Sequence, residues 1–210
     1  MTARAVDKDH KAKQIIRHAT AVFAAHGYNA TTIDAIAARA KIGKGTVYQY
    51  FNSKRDLFLA VFDNYMQGYL EQLHSQVSDP ELSPEQQLRK ATRAVFTLGE
   101  EVEELFPLVF EFWSASASPE TRGQIAGMFR RMYSVFREFF GDMIRRGIER
   151  GEFDPAVDIE SITAVVVGSF DGLFLQAWFD ENMNAMKAGT AFIDVLIRGL
   201  KAPGVGLGTE

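Results

Sequence analysis

Cysteine is absent from all 210 residues, histidine occurs four times and proline six. Without cysteine there can be no disulfide and no cysteine-ligated zinc. The histidines, His10, His18, His26 and His74, are scattered with no recurring carboxylate partner, so neither an acid–base pair nor a metal cluster is legible. The acidic run Glu100, Glu101, Glu103 and Glu104 lacks histidines and reads as a solvated helix junction. No glycine-rich nucleotide motif is present. The sequence therefore predicts no enzyme, no metal and no cofactor. An apolar leader is missing too: Met1 to His10 is polar and charged, which predicts a cytoplasmic chain without a signal peptide. Ser161 to Phe179 approaches membrane length. Asp171 at its centre would cost about 2.5–3.5 kcal/mol in a bilayer, which predicts a buried helix and no membrane partner.

What is present is an uneven charge. Residues 1–55 carry ten basic against three acidic side chains, a local net of +7. The remainder carries thirteen against twenty-four, a net of −11, and the whole chain is −4. A basic head on an acidic body points to a nucleic-acid-binding end. At 47% hydrophobic composition the chain can build one large or two small cores.

Helical periodicity runs from end to end, with no alternating β segment and no internal repeat. A first helix, about Asp9 to His26, carries Ile15, Ala19, Val22 and Phe23 on one stripe, and Gly27 is expected to end it in a left-handed conformation. Thr31 or Thr32 caps a second helix, Lys41-Ile42-Gly43 forms a turn, and a third spans about Lys44 to Tyr50. Asn52 and Ser53 cap a fourth from Lys54 to about Gln76. Pro84 opens a fifth to residue 99, and a sixth follows over about 103–115. Ser118-Pro119 opens a seventh to Arg150, stopped by Gly151. Asp158 caps the eighth, to about Asp180, and the ninth covers about 185–201. The fold class is thus all-α, with about nine helices: a three-helix helix-turn-helix head over 1–54, a helical body over 55–201, and a flexible tail over 202–210.

The third helix meets the demands on a reader of the DNA major groove. Val47 points inward toward Phe51, leaving Lys44, Thr46, Tyr48, Gln49 and Tyr50 for the outer face. Glutamine can bond adenine through two hydrogen bonds, threonine offers a hydroxyl or methyl, and lysine suits guanine or phosphate. Gly45 allows close approach of backbone to a phosphate. Lys54 at the start of the fourth helix, and Thr32 at the start of the second, are placed to hold phosphates.

Gly27-Tyr28, Thr31-Thr32-Ile33, Ile36-Ala37, Lys44-Gly45-Thr46-Val47-Tyr48, Tyr50-Phe51 and Ser53-Lys54 together resemble the signature of the tetracycline-repressor (TetR) family, over about residues 10–60. The resemblance implies a homodimeric regulator, usually a repressor, released from operator DNA by a small molecule. It implies phosphate contacts from Thr32, Tyr48, Tyr50 and Lys54, and base contacts from Lys44, Gly45, Thr46 and Gln49. Two positions depart from the family pattern. Lys41 stands where glycine is common, at about 1 kcal/mol if left-handed. Gly43 replaces a capping serine or threonine, at a few tenths.

The body offers aromatic stripes. Phe106, Phe110 and Trp113 recur on the sixth helix, and Phe129, Tyr133, Phe136 and Phe140 on the seventh beside Met128 and Met132. Such stripes form either plain core or an adaptable apolar cavity. The cavity reading places an apolar or aromatic effector between the sixth, seventh and eighth helices, against Phe106, Phe110, Trp113, Met132, Tyr133, Phe136, Phe170, Asp171 and Phe174. A cationic effector follows if Asp171 turns inward. The eighth helix is apolar nearly all round, which predicts burial on its own domain and on a partner subunit. Ala191, Phe192, Val195, Leu196 and Leu200 of the ninth would complete a two-fold, four-helix interface. A helical enzyme or carrier, and a nonspecific chromosome-organising protein, are the competing readings.

Overall fold

A computed structural model describes residues 3–79, 81–100, 107, 109–111 and 119–201. The described residues are helical with no strand among them, in keeping with the all-α expectation. The tail expected over 202–210 lies outside them, as does most of the sixth predicted helix. Two compact units emerge, one from residues 1–70 and 102–128, the other from 71–101 and 129–210. The head expected over 1–54 falls wholly in the first unit, which also takes in later residues.

In the first unit α1 (Ala3–Ala30) presents Ile15, Ala19, Val22 and Phe23 to the core. It begins six residues before the expected start. Gly27 breaks it with φ 72° and ψ 171°, a positive φ paired with extended ψ rather than the left-handed helical end the sequence suggested. Only glycine adopts this conformation readily. One further turn follows the break and lays Tyr28 beside Phe58, with ring centroids 4.6 Å apart. Thr31 is buried and donates its hydroxyl to the Gly27 carbonyl at 2.7 Å.

Next come α2 (Ile33–Ala40) and α3 (Lys44–Tyr48). Thr32 caps α2, its Oγ1 accepting the Ala35 amide at 3.1 Å. Lys41 takes the left-handed conformation (φ 54°, ψ 43°). Its amide reaches the Ala38 carbonyl at 3.1 Å and that of Ile42 the Ala37 carbonyl at 3.0 Å, satisfying carbonyls left open where the helix ends. Gly43 opens α3 without a side-chain cap. This helix ends two residues before Tyr50, because the Gln49 amide is shared between the Gly45 and Thr46 carbonyls and the chain tightens into turns. The fourth helix, α4 (Lys54–Val77), starts where expected, with Ser53 Oγ accepting the Asp56 amide at 3.0 Å. Residues 109–111 are helical and are designated α6.

The second unit contains α5 (Pro84–Glu100), α7 (Pro119–Glu149) from residue 129 onward, α8 (Ile159–Phe179) and α9 (Ala185–Leu200). Ser83 and Gln86 cap α5 reciprocally: Ser83 Oγ accepts the Gln86 amide at 3.2 Å, and Gln86 Oε1 the Ser83 amide at 2.8 Å. Gly151 (φ 71°) stops α7 as predicted. Asp158 caps α8, its carboxylate accepting the Ser161 amide at 3.2 Å, and Asn184 caps α9 through the Lys187 amide at 2.7 Å. Both α5 and α8 pack on α9. Aromatic rings fill this core, Phe170 lying 5.5 Å from Phe96 and 5.4 Å from Phe140.

Candidate nucleic-acid interface

The first unit holds α3 by one buried residue and turns the rest outward. Val47 is fully buried, while Tyr48 keeps 46% of its surface exposed and Lys44, Gly45 and Gln49 are also exposed. Thr46 and Tyr50 are half-buried. Short helices owe their form to packing more than to propensity, and here Val47 joins Ile33, Ile36 and Ala37 of α2 among the buried residues.

Three of the expected contact residues, Lys44, Thr32 and Lys54, already have partners. Lys44 Nζ lies 2.7 Å from Asp34 Oδ2 across the α2–α3 turn. That hydrogen bond, aided by the charge of Asp34, raises the Lys44 ammonium above its ordinary value. Thr32, expected at a phosphate, uses its hydroxyl oxygen as an acceptor for the α2 cap, although the residue itself remains exposed.

Lys54 departs most from expectation. Instead of presenting its ammonium outward for a phosphate, it turns back onto the end of α1. Its Nζ donates to the carbonyls of Tyr28 at 2.8 Å, Thr31 at 2.9 Å and Asn29 at 3.3 Å. The same ammonium sits 4.4 Å from the centre of the Tyr28 ring. Carbonyls at a helix end carry partial negative charge, and a cation there is favourable. The first role of Lys54 is thus to tie α4 to the α1–α2 turn. A depression of about 260 Å³ beside it is lined by Tyr28, Ser53, Lys54, Arg55 and Asp56.

Sequence reasoning missed Glu111 entirely. It lies on α6, and its Oε2 accepts the Tyr28 amide at 2.5 Å. Its other oxygen fills the notch at Gly27, 2.5 Å from where a Cβ would stand. Nothing local in the sequence pairs Glu111 with a residue 83 positions earlier; only the fold does.

The residues expected around an effector divide. Phe106 and Trp113 lie outside the described residues, and Phe110 is half-buried on α6. Phe170 is buried between Phe96 and Phe140 and is a core residue rather than an exposed ligand wall. Phe136 is likewise buried. Phe174 is half-buried, its ring 5.1 Å from Phe96. Met132, Tyr133 and Asp171 are half-buried. The Tyr133 hydroxyl donates to the Asp171 carboxylate. Burial raises the Asp171 carboxyl above its ordinary value, and the tyrosine bond opposes that rise. Burial, then the charge of Asp171, raises Tyr133.

The α8 surface is only half covered. Thr163, Val166, Val167 and Phe170 are buried, whereas Val165 is 60% and Phe179 77% exposed. On α9, Ile193, Ile197 and Leu200 are buried and Val195 is 59% exposed. Leu200, expected at a subunit interface, instead packs within its own chain. By length and composition α8 could also cross a membrane. Among the described residues no cluster of histidine, aspartate or glutamate suits a metal.

Two family models match the chain. Residues 15–61 fit bacterial regulatory proteins of the tetR family, and residues 84–200 fit the C-terminal region of BetI-type transcriptional repressors. The chain is 28% identical over 185 residues to the uncharacterised HTH-type transcriptional regulator YfiR of Bacillus subtilis (strain 168), covering 84% of this chain and 86% of that protein. The crystal structure of a TetR transcription regulator from Haloarcula marismortui shares its fold, with a TM-score of 0.79 at 21% identity, over 92% of this chain and 100% of that one. So does the regulator FadR from Bacillus subtilis in complex with stearoyl-CoA, with a TM-score of 0.71 at 21% identity, over 90% and 98%.

Proposed function

The chain belongs to the TetR family of bacterial regulatory proteins, and from that premise we propose that it is a cytoplasmic, dimeric transcriptional repressor that leaves its operator when an apolar or aromatic small molecule binds. The observation that carries the reading is α3, anchored by the buried Val47 with Tyr48 and Gln49 turned to solvent. Gln49, Thr46, Lys44 and Gly45 read base edges in the major groove, while Tyr48, Tyr50 and Thr32 meet phosphates. Repression accords with the BetI-type repressor match over 84–200.

Dimerisation runs through α8 and α9. Ala164, Val165 and Gly168 share one exposed face of α8, and Ala191, Val195 and Gly199 one face of α9. Two rows of small and branched apolar residues allow close helix packing about a two-fold axis. A partner there also accounts for the uncovered apolar length of α8 without a bilayer.

In the second unit the effector meets Met132, Tyr133, Asp171 and Phe174. The bound stearoyl-CoA of the similar FadR supports an apolar component in the effector. A ligand need prefer the released state by only a few kcal/mol to empty the operator.

Selection of duplexes from a random DNA pool tests this reading. It should return a two-fold sequence with half-sites about one helical turn, ~34 Å, apart. Retention of all duplexes alike would favour the nonspecific alternative.

A further inference from the structure

We propose that Glu111 is the residue by which α6 positions the DNA-reading head. This rests on the reading of α3 as the groove-entering helix. The α1–α2 turn, residues 27–32, is gripped through both of its polar faces. On one side Glu111 accepts the Tyr28 amide at 2.5 Å. On the other the Lys54 ammonium collects the carbonyls of Tyr28, Asn29 and Thr31. A carboxylate on the Tyr28 amide and an ammonium on the Tyr28 carbonyl hold the two peptide groups that flank one residue, so two charge-assisted hydrogen bonds fix the same turn from opposite sides.

Gly27 makes the first grip possible. A side chain there would collide with Glu111 Oε1, and its φ of 72° already demands glycine. From this turn the connection to the reading helix is short and stiff. Thr31 is buried with its hydroxyl on Gly27, Thr32 caps α2, and α2 packs on α3. A displacement of α6 therefore reaches α2 and α3 through backbone, without passing along α4.

The test uses the full-length protein and two variants, Glu111→Ala and Glu111→Gln. The glutamine retains an oxygen acceptor for the Tyr28 amide; the alanine does not. In Glu111→Ala, hydrogen exchange should accelerate at least tenfold across residues 28–36 while the buried amides of α5 and α9 keep wild-type rates. Glu111→Gln should restore most of that protection. On the duplex that wild type selects, Glu111→Ala should lose at least fivefold in affinity, with binding to random duplex unchanged. A Glu111→Ala protein with wild-type exchange through residues 28–36 overturns the proposal, as does acceleration spread evenly over both units. If Glu111→Ala does not fold, a folded Glu111→Gln protein that exchanges residues 28–36 as fast as short unstructured peptides overturns it, and retained protection supports it. A wild type that selects no duplex defeats the DNA-reading role, while the exchange result still decides whether Glu111 holds the turn.

Discussion

The Lys44 ammonium lies 2.7 Å from the Asp34 carboxylate, so the first cation of α3 is held by α2 across the turn. Both side chains are about half-exposed or more, and such pairs add little to stability. The consequence falls on DNA binding, where Asp34 competes with phosphate for Lys44 and itself repels the backbone. Asp34→Asn should tighten binding to operator and random duplex alike, steepen the salt dependence, and leave the melting temperature nearly unchanged. Fluorescence anisotropy across a salt series measures this. Weaker binding after the substitution would show that the pair orients Lys44 for a base.

Lys54→Met separates holding the turn from holding phosphate. Removing the ammonium strands three carbonyl acceptors and a ring contact. The loss should be about 2 kcal/mol of folding stability in urea titrations. A phosphate role alone would leave stability intact and reduce the salt slope by about one unit.

Acid sensitivity should trace to the α5–α9 contact. Glu85 faces Arg89 at 3.0 Å and Lys201 at 3.2 Å, and Arg89 also pairs with Asp194. Burial raises the Glu85 carboxyl, but hydrogen bonds and charge from Arg89 and Lys201 outweigh it and hold the group below its ordinary value near 4.5. A carboxyl depressed in the folded state stabilises above its unfolded value, and that contribution disappears as pH falls through the folded one. Melting temperatures taken from about pH 6 to about pH 3 should therefore fall more steeply for wild type than for Glu85→Gln. The group is partly exposed, so the difference will be modest. Parallel curves would remove Glu85 from the acid response.

Local chemistry is legible in the chain itself. Thr32, Ser53, Asp158 and Asn184 precede helices as capping residues do, and each accepts an amide of the first turn. Lys41 is legible as a left-handed residue only through the family resemblance, in which glycine is common at that position. Long-range roles are not. Lys54 reads as an outward cation because sequence says nothing of where the end of α1 lies. One signal exists, since a lysine at the first position of a helix opposes the helix dipole and needs another partner. Glu111 gives no signal at all. The aromatic stripes cannot be split by pattern into Phe170 in the core and Phe174 at its margin, because both lie on one helical face and differ only in what packs above them.

The dimer is open to a single charge. Val195 is 59% exposed on α9, with Val165 correspondingly exposed on α8. Val195→Glu should leave the fold of one chain intact, since the site is already in water, yet place an unpaired carboxylate in the proposed interface. Light scattering should then report a monomer, and operator affinity should collapse because two half-sites are no longer bound together. A wild-type monomer at micromolar concentration would rule the arrangement out.

Gln49 decides whether α3 reads DNA. It is exposed one residue beyond the helix and has the chemistry to bond adenine bidentately. Gln49→Ala should be titrated with the selected operator and with random duplex at one salt concentration. The expected result is a loss of about 1–3 kcal/mol on the operator and no change on random duplex. Equal loss on both, or no loss on either, would contradict a base-reading role for this helix.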